Sequence, residues 1–286
     1  MFQNKITCSN CHERIDALNV DCPYCHTHNF EYDKLKLSKH AFNVSFIWQL
    51  ILFFVGWMGL QIIASIVQIF FIAFSHVPIA ELSENANLLG PIEFITYFLE
   101  AFIMIGLVIL SKNAKNFIKP FKSFDTYVFG VIAFVIMYAV SAGYGNFVVP
   151  SDVDTSGNQQ LVISITLANP LLSIIVLGIL GPLCEELTYR VGLFGFLRRC
   201  NRVLAYLIGT FFFAIIHFDL EVLLEIIQYQ DFSGLIRELW NFPSYLIGGI
   251  GLVATYDLFG FGASSLAHML NNLYGIMQIL IVYGRK

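Results

Sequence analysis

Glu185, Glu186 and Arg190 are the only ionised side chains between Leu161 and Leu197, in a stretch otherwise apolar or uncharged. One charged residue at the centre of a membrane helix costs roughly 2.5–3.5 kcal/mol. Three within six residues are therefore expected to face protein or water, not lipid. Glu186 precedes Arg190 by four positions, the favourable order for a helical ion pair. That pairing neutralises Glu186 and leaves Glu185, about 100° around the helix, to face another group. The next apolar run, Val203–Phe218, has one side chain titrating near neutral pH, His217, and the last, Ser264–Tyr283, has His268. Asn272 follows His268 by four residues, on the same helical face. A carboxylate, two imidazoles and an amide brought together could do general acid–base chemistry: a base to deprotonate water and N–H donors for a developing oxyanion.

The spacing of the apolar runs decides whether these side chains can meet. The turn between the runs carrying Glu185 and His217 is centred near Arg199–Asn201, about 15 residues after the first and about 17 before the second. At about 1.5 Å per residue an antiparallel hairpin brings the two to nearly the same depth. His268 lies a few residues past Gly260–Gly262. It joins them only if that turn lies at their depth, which favours an eighth crossing. Glu100, without a partner in sequence, reads as structural, Asp257 as interfacial, and Cys184 and Cys200 as inert packing residues.

The chain has 286 residues, 57% hydrophobic and 13% charged, with a mean hydropathy of +0.71. An ordinary soluble domain is roughly a quarter charged, so a soluble enzyme, a disordered chain and a disulfide-stapled secreted domain are excluded. A net charge of −4 leaves no basic footprint for nucleic acid. Apolar runs long enough to span a bilayer occur at Val44–Phe74, Phe94–Leu110, Thr126–Ala142, Leu161 to about Leu197, Val203–Phe218, Phe242–Phe259 and Ser264–Tyr283. None has the position of a cleavable signal peptide. The expected fold is an all-α polytopic transmembrane bundle of seven to eight helices. Asp219–Asn241 is the candidate for the eighth, which would return Arg285 and Lys286 to the side of the N-terminus. Lys34, Lys36 and Lys39, then Lys112, Lys115, Lys119 and Lys122, then Arg198, Arg199 and Arg202 alternate with connections lacking Lys and Arg. This bias places the N-terminus in the cytoplasm.

Ahead of the bundle, Cys8, Cys11, Cys22 and Cys25 form two C-x-x-C pairs ten residues apart. Four thiolates in this pattern suit a structural zinc ion and leave no open coordination position. The expected organisation is a cytoplasmic zinc ribbon over residues 1–30, a basic linker over 31–43 and a membrane domain over 44–286, with its catalytic core at about 165–284. A ribbon of this size is suited to docking a protein partner or substrate.

Three stretches match motifs of a known family. EELTYR (Glu185–Arg190) resembles EExxxR, FAIIH (Phe213–His217) resembles FxxxH and HMLNN (His268–Asn272) resembles HxxxN. These are motifs of the CAAX-protease and bacteriocin-processing (Abi) family of intramembrane endopeptidases, whose eukaryotic relatives are the type II CAAX prenyl proteases. Over about residues 170–278, order and spacing agree as well. The resemblance implies that Glu185 and His217 activate the hydrolytic water, that His268 and Asn272 stabilise the oxyanion, and that Glu186 and Arg190 support the site.

The expected activity is therefore peptide-bond hydrolysis on a peptide or membrane-protein substrate, in the cell membrane of a bacterial-type source and without a catalytic metal. Two alternatives remain open. Glu185, His217 and His268 could ligate zinc with Glu186 as base, making a metalloprotease. Or the chain could be a non-proteolytic immunity or scaffold protein that docks through its ribbon.

Overall fold

The computed structural model describes residues 5–16, 19–29, 44–75 and 85–284. The expected basic linker, with Lys34, Lys36 and Lys39, and the terminal pair Arg285 and Lys286 lie outside the described residues.

The N-terminal segment is a two-stranded antiparallel ribbon. Strand β1 (Lys5–Thr7) pairs with β2 (Arg14–Asp16), with Lys5 opposite Asp16 and Thr7 opposite Arg14. The two C-x-x-C turns repeat one local geometry. The Cys8 carbonyl accepts from His12 N–H and the Cys22 carbonyl from His26 N–H, and both histidines adopt left-handed φ values of 60° and 56°. Cys8, Ile15 and Cys22 form the small buried core.

Nine helices of eight or more residues carry most of the rest of the described chain. Six are long and apolar enough to cross a membrane: α1 (Phe46–Phe74), α2 (Ala86–Leu110), α3 (Phe124–Phe147), α5 (Pro170–Arg198), α8 (Ser233–Phe259) and α9 (Phe261–Val282). Between α3 and α5 lies α4 (Gly157–Ala168). The shorter apolar helix α6 (Arg202–Ile215) follows α5, started by Asn201, whose side chain accepts from Leu204 N–H. The short α7 (Val222–Tyr229) precedes α8. Side chains facing outward are Ile, Phe, Leu and Val in long rows, as lipid contact requires.

Among the described residues six helices are candidate crossings, and α6 is a shorter apolar helix between two of them. Asp219–Asn241 is not an eighth crossing: it holds α7 and the first turns of α8. Its charges are satisfied at one end of the bundle, where Glu238 accepts from Gly157 N–H at 2.7 Å and Arg237 lies 3.6 Å from Asp219. At the opposite end Asp257, near the end of α8 as its sequence position implies, is fully buried by protein. It holds Arg198 at 3.2 Å, Arg202 at 2.9 Å and the Tyr206 hydroxyl at 3.1 Å, tying α5, α6 and α8 together. Arg199 donates there to Gln49 and to the Val44 carbonyl. The arginines that signal orientation in the sequence thus also clamp the helix ends.

Helix α5 is not regular. Two stretches, Val176–Leu180 and Glu186–Phe194, are π-helical, as is Val55–Gly59 in α1. Pro182 supplies no N–H to the Gly178 carbonyl one turn back, and such a missing bond loosens the preceding turn. A π turn holds more residues than an α turn, so α5 advances less than 1.5 Å per residue here. At its other face, a Cβ on Gly192 would lie 2.8 Å from the Phe53 backbone nitrogen, so glycine lets α1 and α5 touch backbone to backbone.

Candidate functional site

The switch from α to π geometry in α5 falls between the two glutamates: Glu185 ends the α segment and Glu186 begins the π segment. Glu186 and Arg190 are completely buried, 3.3 Å apart, so the pair expected from their spacing forms. The Arg190 guanidinium also stacks 4.0 Å above the Phe213 ring. Its three nitrogens make no hydrogen bond among the described residues. Glu186 additionally receives a very short hydrogen bond from the Ser264 hydroxyl.

Helix α9 delivers the second component. Gly260, at φ 88°, turns the chain directly from α8 into α9, a conformation that only glycine adopts without strain. His268 then lies between both glutamates: Nδ1 is 3.0 Å from Glu186 Oε1 and Nε2 is 3.7 Å from Glu185 Oε2. No eighth crossing is needed to bring it there, because the shortened π segment of α5 sets Glu186 near the first turns of α9. Four residues on, Asn272 donates to the Leu177 carbonyl at 2.9 Å, inside the first π stretch, and one N–H of its amide remains.

His217 completes the set from just beyond α6. Its Nδ1 is 2.8 Å from the Phe213 carbonyl. A carbonyl only accepts, so Nδ1 carries the proton and the Nε2 lone pair is left free. Glu185, His217, His268 and Asn272 line one cavity of about 390 Å³, with Phe213, Leu177 and Asn271 beside them. Glu185 keeps 17% of its side chain exposed, against none for Glu186, and its Oε2 has no hydrogen-bond partner among the described residues.

Residues 167–274 match the family described as type II CAAX prenyl endopeptidase Rce1-like, a range containing all three motifs. The chain carries an Rce1-like peptidase domain. Comparison with curated proteins and with solved structures gives no match. The six candidate membrane spans make this a multi-pass membrane protein, and residues 167–274 carry its endopeptidase-family domain.

Outside the Rce1-like domain, the sulfurs of Cys8, Cys11, Cys22 and Cys25 all lie within 4.8 Å of one another. The Cys8–Cys25 and Cys11–Cys22 separations are 3.6 and 3.5 Å. Tetrahedral Zn–S bonds of about 2.3 Å imply sulfur–sulfur edges of about 3.8 Å, so the four donors fit a metal ion. The Thr27 hydroxyl and then its backbone N–H hold the Cys25 thiol down to about 5, which leaves at neutral pH the thiolate that a metal requires. His12 and His26 close the turns without entering this sulfur set. Among the described residues it is the one group of three or more His, Cys, Asp or Glu with ligand atoms in common reach. Glu185, His217 and His268 do not form another.

Three features of the membrane helices escape sequence reasoning. Ser264 reads as an easily accommodated hydroxyl yet lies against Glu186. Tyr245 stacks on His217 with ring centroids 5.0 Å apart. Glu100, 2% exposed, has one carboxyl oxygen without a hydrogen-bond partner among the described residues. No motif spacing marks any of the three.

Proposed function

We propose that this protein is an intramembrane endopeptidase that hydrolyses a peptide bond with water activated by Glu185 and His217. The carrying observation is the position of His268 between Glu185 and Glu186 in a cavity that also holds His217 and Asn272. Glu185 takes a proton as the water oxygen attacks the scissile carbonyl carbon. His217, with its free Nε2, shares that proton and passes it to the leaving amine. Since Nδ1 of His268 is engaged by Glu186, His268 donates from Nε2 as an imidazolium, and the remaining N–H of Asn272 supplies a second donor to the oxyanion. Glu186 and Arg190 hold this charge in place: two carboxylates, one guanidinium and one imidazolium sum to zero, as a low-dielectric site demands.

The four cysteines would bind a structural zinc ion, dividing the chain into a ribbon at 1–30, a linker at 31–43 and the membrane protease domain beyond. The lysine and arginine distribution supports a cytoplasmic ribbon in a bacterial-type membrane. The substrate is a peptide or membrane protein, and the ribbon would dock a protein.

The test is comparative peptidomics of cells carrying wild type, Glu185→Gln or His217→Ala at equal membrane abundance. Specific cleavage products should vanish in both variants. Peptide profiles identical to wild type in both would overturn the hydrolase and favour a scaffold.

A further inference from the structure

His217 lies past the last residue of α6, so helix geometry does not fix its ring. One in-plane hydrogen bond, Nδ1 to the Phe213 carbonyl at 2.8 Å, sets the tautomer but leaves the ring free to tilt about it. The face of the imidazole is covered by Tyr245 of α8, nearly parallel at 21° and 5.0 Å between centroids. The Tyr245 hydroxyl is held in turn. It lies 2.7 Å from the Ser156 hydroxyl and accepts from the Asn158 amide at 3.2 Å.

Residues 154–159 form a strap across the cavity rim, fastened to α8 at further points. Glu238 accepts from Gly157 N–H at 2.7 Å, and the Asn241 amide donates to the Asp154 carbonyl at 2.9 Å. Ser156 is itself fixed, accepting from Gln159 N–H at the start of α4. The phenol therefore has its plane set at two places, the α8 backbone and the strap.

We propose that Tyr245 is a positioning residue for His217: it fixes the imidazole plane by stacking, and the strap residues Ser156 and Asn158 fix Tyr245. This rests on the role of His217 given above. Tyr245 needs no contact with the reacting atoms. Its hydroxyl serves the strap and its ring serves the histidine, so that Nε2 stays aimed into the cavity.

The test uses the full chain in nanodiscs, labelled with ¹⁵N-histidine, at a pH well above the ordinary imidazole pKa of about 6.5. The His217 signals are assigned by their loss in His217→Gln. Wild type should show the Nδ1-protonated tautomer, with ring protons shifted upfield by the Tyr245 ring. Tyr245→Leu should lose the upfield shift and give mixed tautomers, whereas Tyr245→Phe, which keeps the ring but loses the hydroxyl held by Ser156 and Asn158, should keep a reduced upfield shift. Wild-type signals in Tyr245→Leu would overturn the proposal. Should that variant not fold, Ser156→Ala combined with Asn158→Ala decides. Freeing the phenol should reduce the upfield shift, and an unchanged shift overturns the proposal. These signals need no substrate, so they stand apart from the Glu185→Gln peptidomics: unchanged peptides there would remove the hydrolase and leave the stacking result intact.

Discussion

At the scale of single residues, the most informative group is the buried triad of Glu186, Arg190 and His268. Removing one partner of a buried ion pair leaves an uncompensated charge, at a cost of about 3–5 kcal/mol. Glu186→Gln is therefore expected to destabilise by that order, because Arg190 has no hydrogen bond among the described residues to fall back on. Thermal unfolding in detergent checks it, and a loss below about 1 kcal/mol would contradict it. The Glu186–Arg190 contact is legible in the sequence because its cause is local: four positions on one helix. The two-sided contact of His268 is not, because 82 residues separate it from Glu186 and no periodicity records that meeting. Asp257 is half legible for the same reason: its place near a helix end is local, but only the packing of α5 and α6 against α8 shows the two arginines that pair with it.

At the scale of elements, the π turns of α5 are the main departure from what apolar runs convey. Hydropathy locates the helix but is blind to residues per turn. Pro182 is the one local sign. Pro182→Ala restores an N–H to the Gly178 carbonyl, and a regular helix would rotate Leu177 away from Asn272. The expected outcome is unchanged or higher thermal stability with at least a tenfold loss of product (about 1.4 kcal/mol in the barrier), checked by cleavage and melting on the same preparation. Gly192 tests the α1–α5 contact. Replacing helical glycine with a larger residue normally favours the helix. Gly192→Val should instead destabilise by about 1–3 kcal/mol through overpacking against Phe53, and a rise in melting temperature would contradict that. Residue counts on either side of the α5–α6 turn anticipate that Glu185 and His217 line one cavity, but the regular 1.5 Å rise assumed in that count fails over the π stretch Glu186–Phe194.

At the scale of the whole molecule, the chain joins a ribbon of a few dozen residues to a large bundle, and the two are held by different forces. The ribbon buries little beyond Cys8, Ile15 and Cys22, so metal ligation is expected to carry its folding. The purified chain should contain one equivalent of zinc, lost in a Cys8→Ser, Cys25→Ser double variant. Chelation should collapse the dispersed amide signals of residues 5–29 and leave the thermal transition of the bundle in place. A bundle that melts together with metal loss would show the two to be one cooperative unit. The six candidate crossings are recognisable from hydropathy and length. The polar stretch Asp219–Asn241 is ambiguous in sequence because Glu238 is matched by the backbone of Gly157, 81 residues away.

The strap and the start of α1 stand at opposite ends of the bundle. The strap meets the first turns of α8 at Glu238 and Asn241, while α1 begins beside the Arg199 clamp. A pull on the start of α1 would reach the strap only through the length of the helices. Helix α1 is the natural lever, since one tug on that helix is felt at Gly192, two residues beyond the guanidinium paired with Glu186.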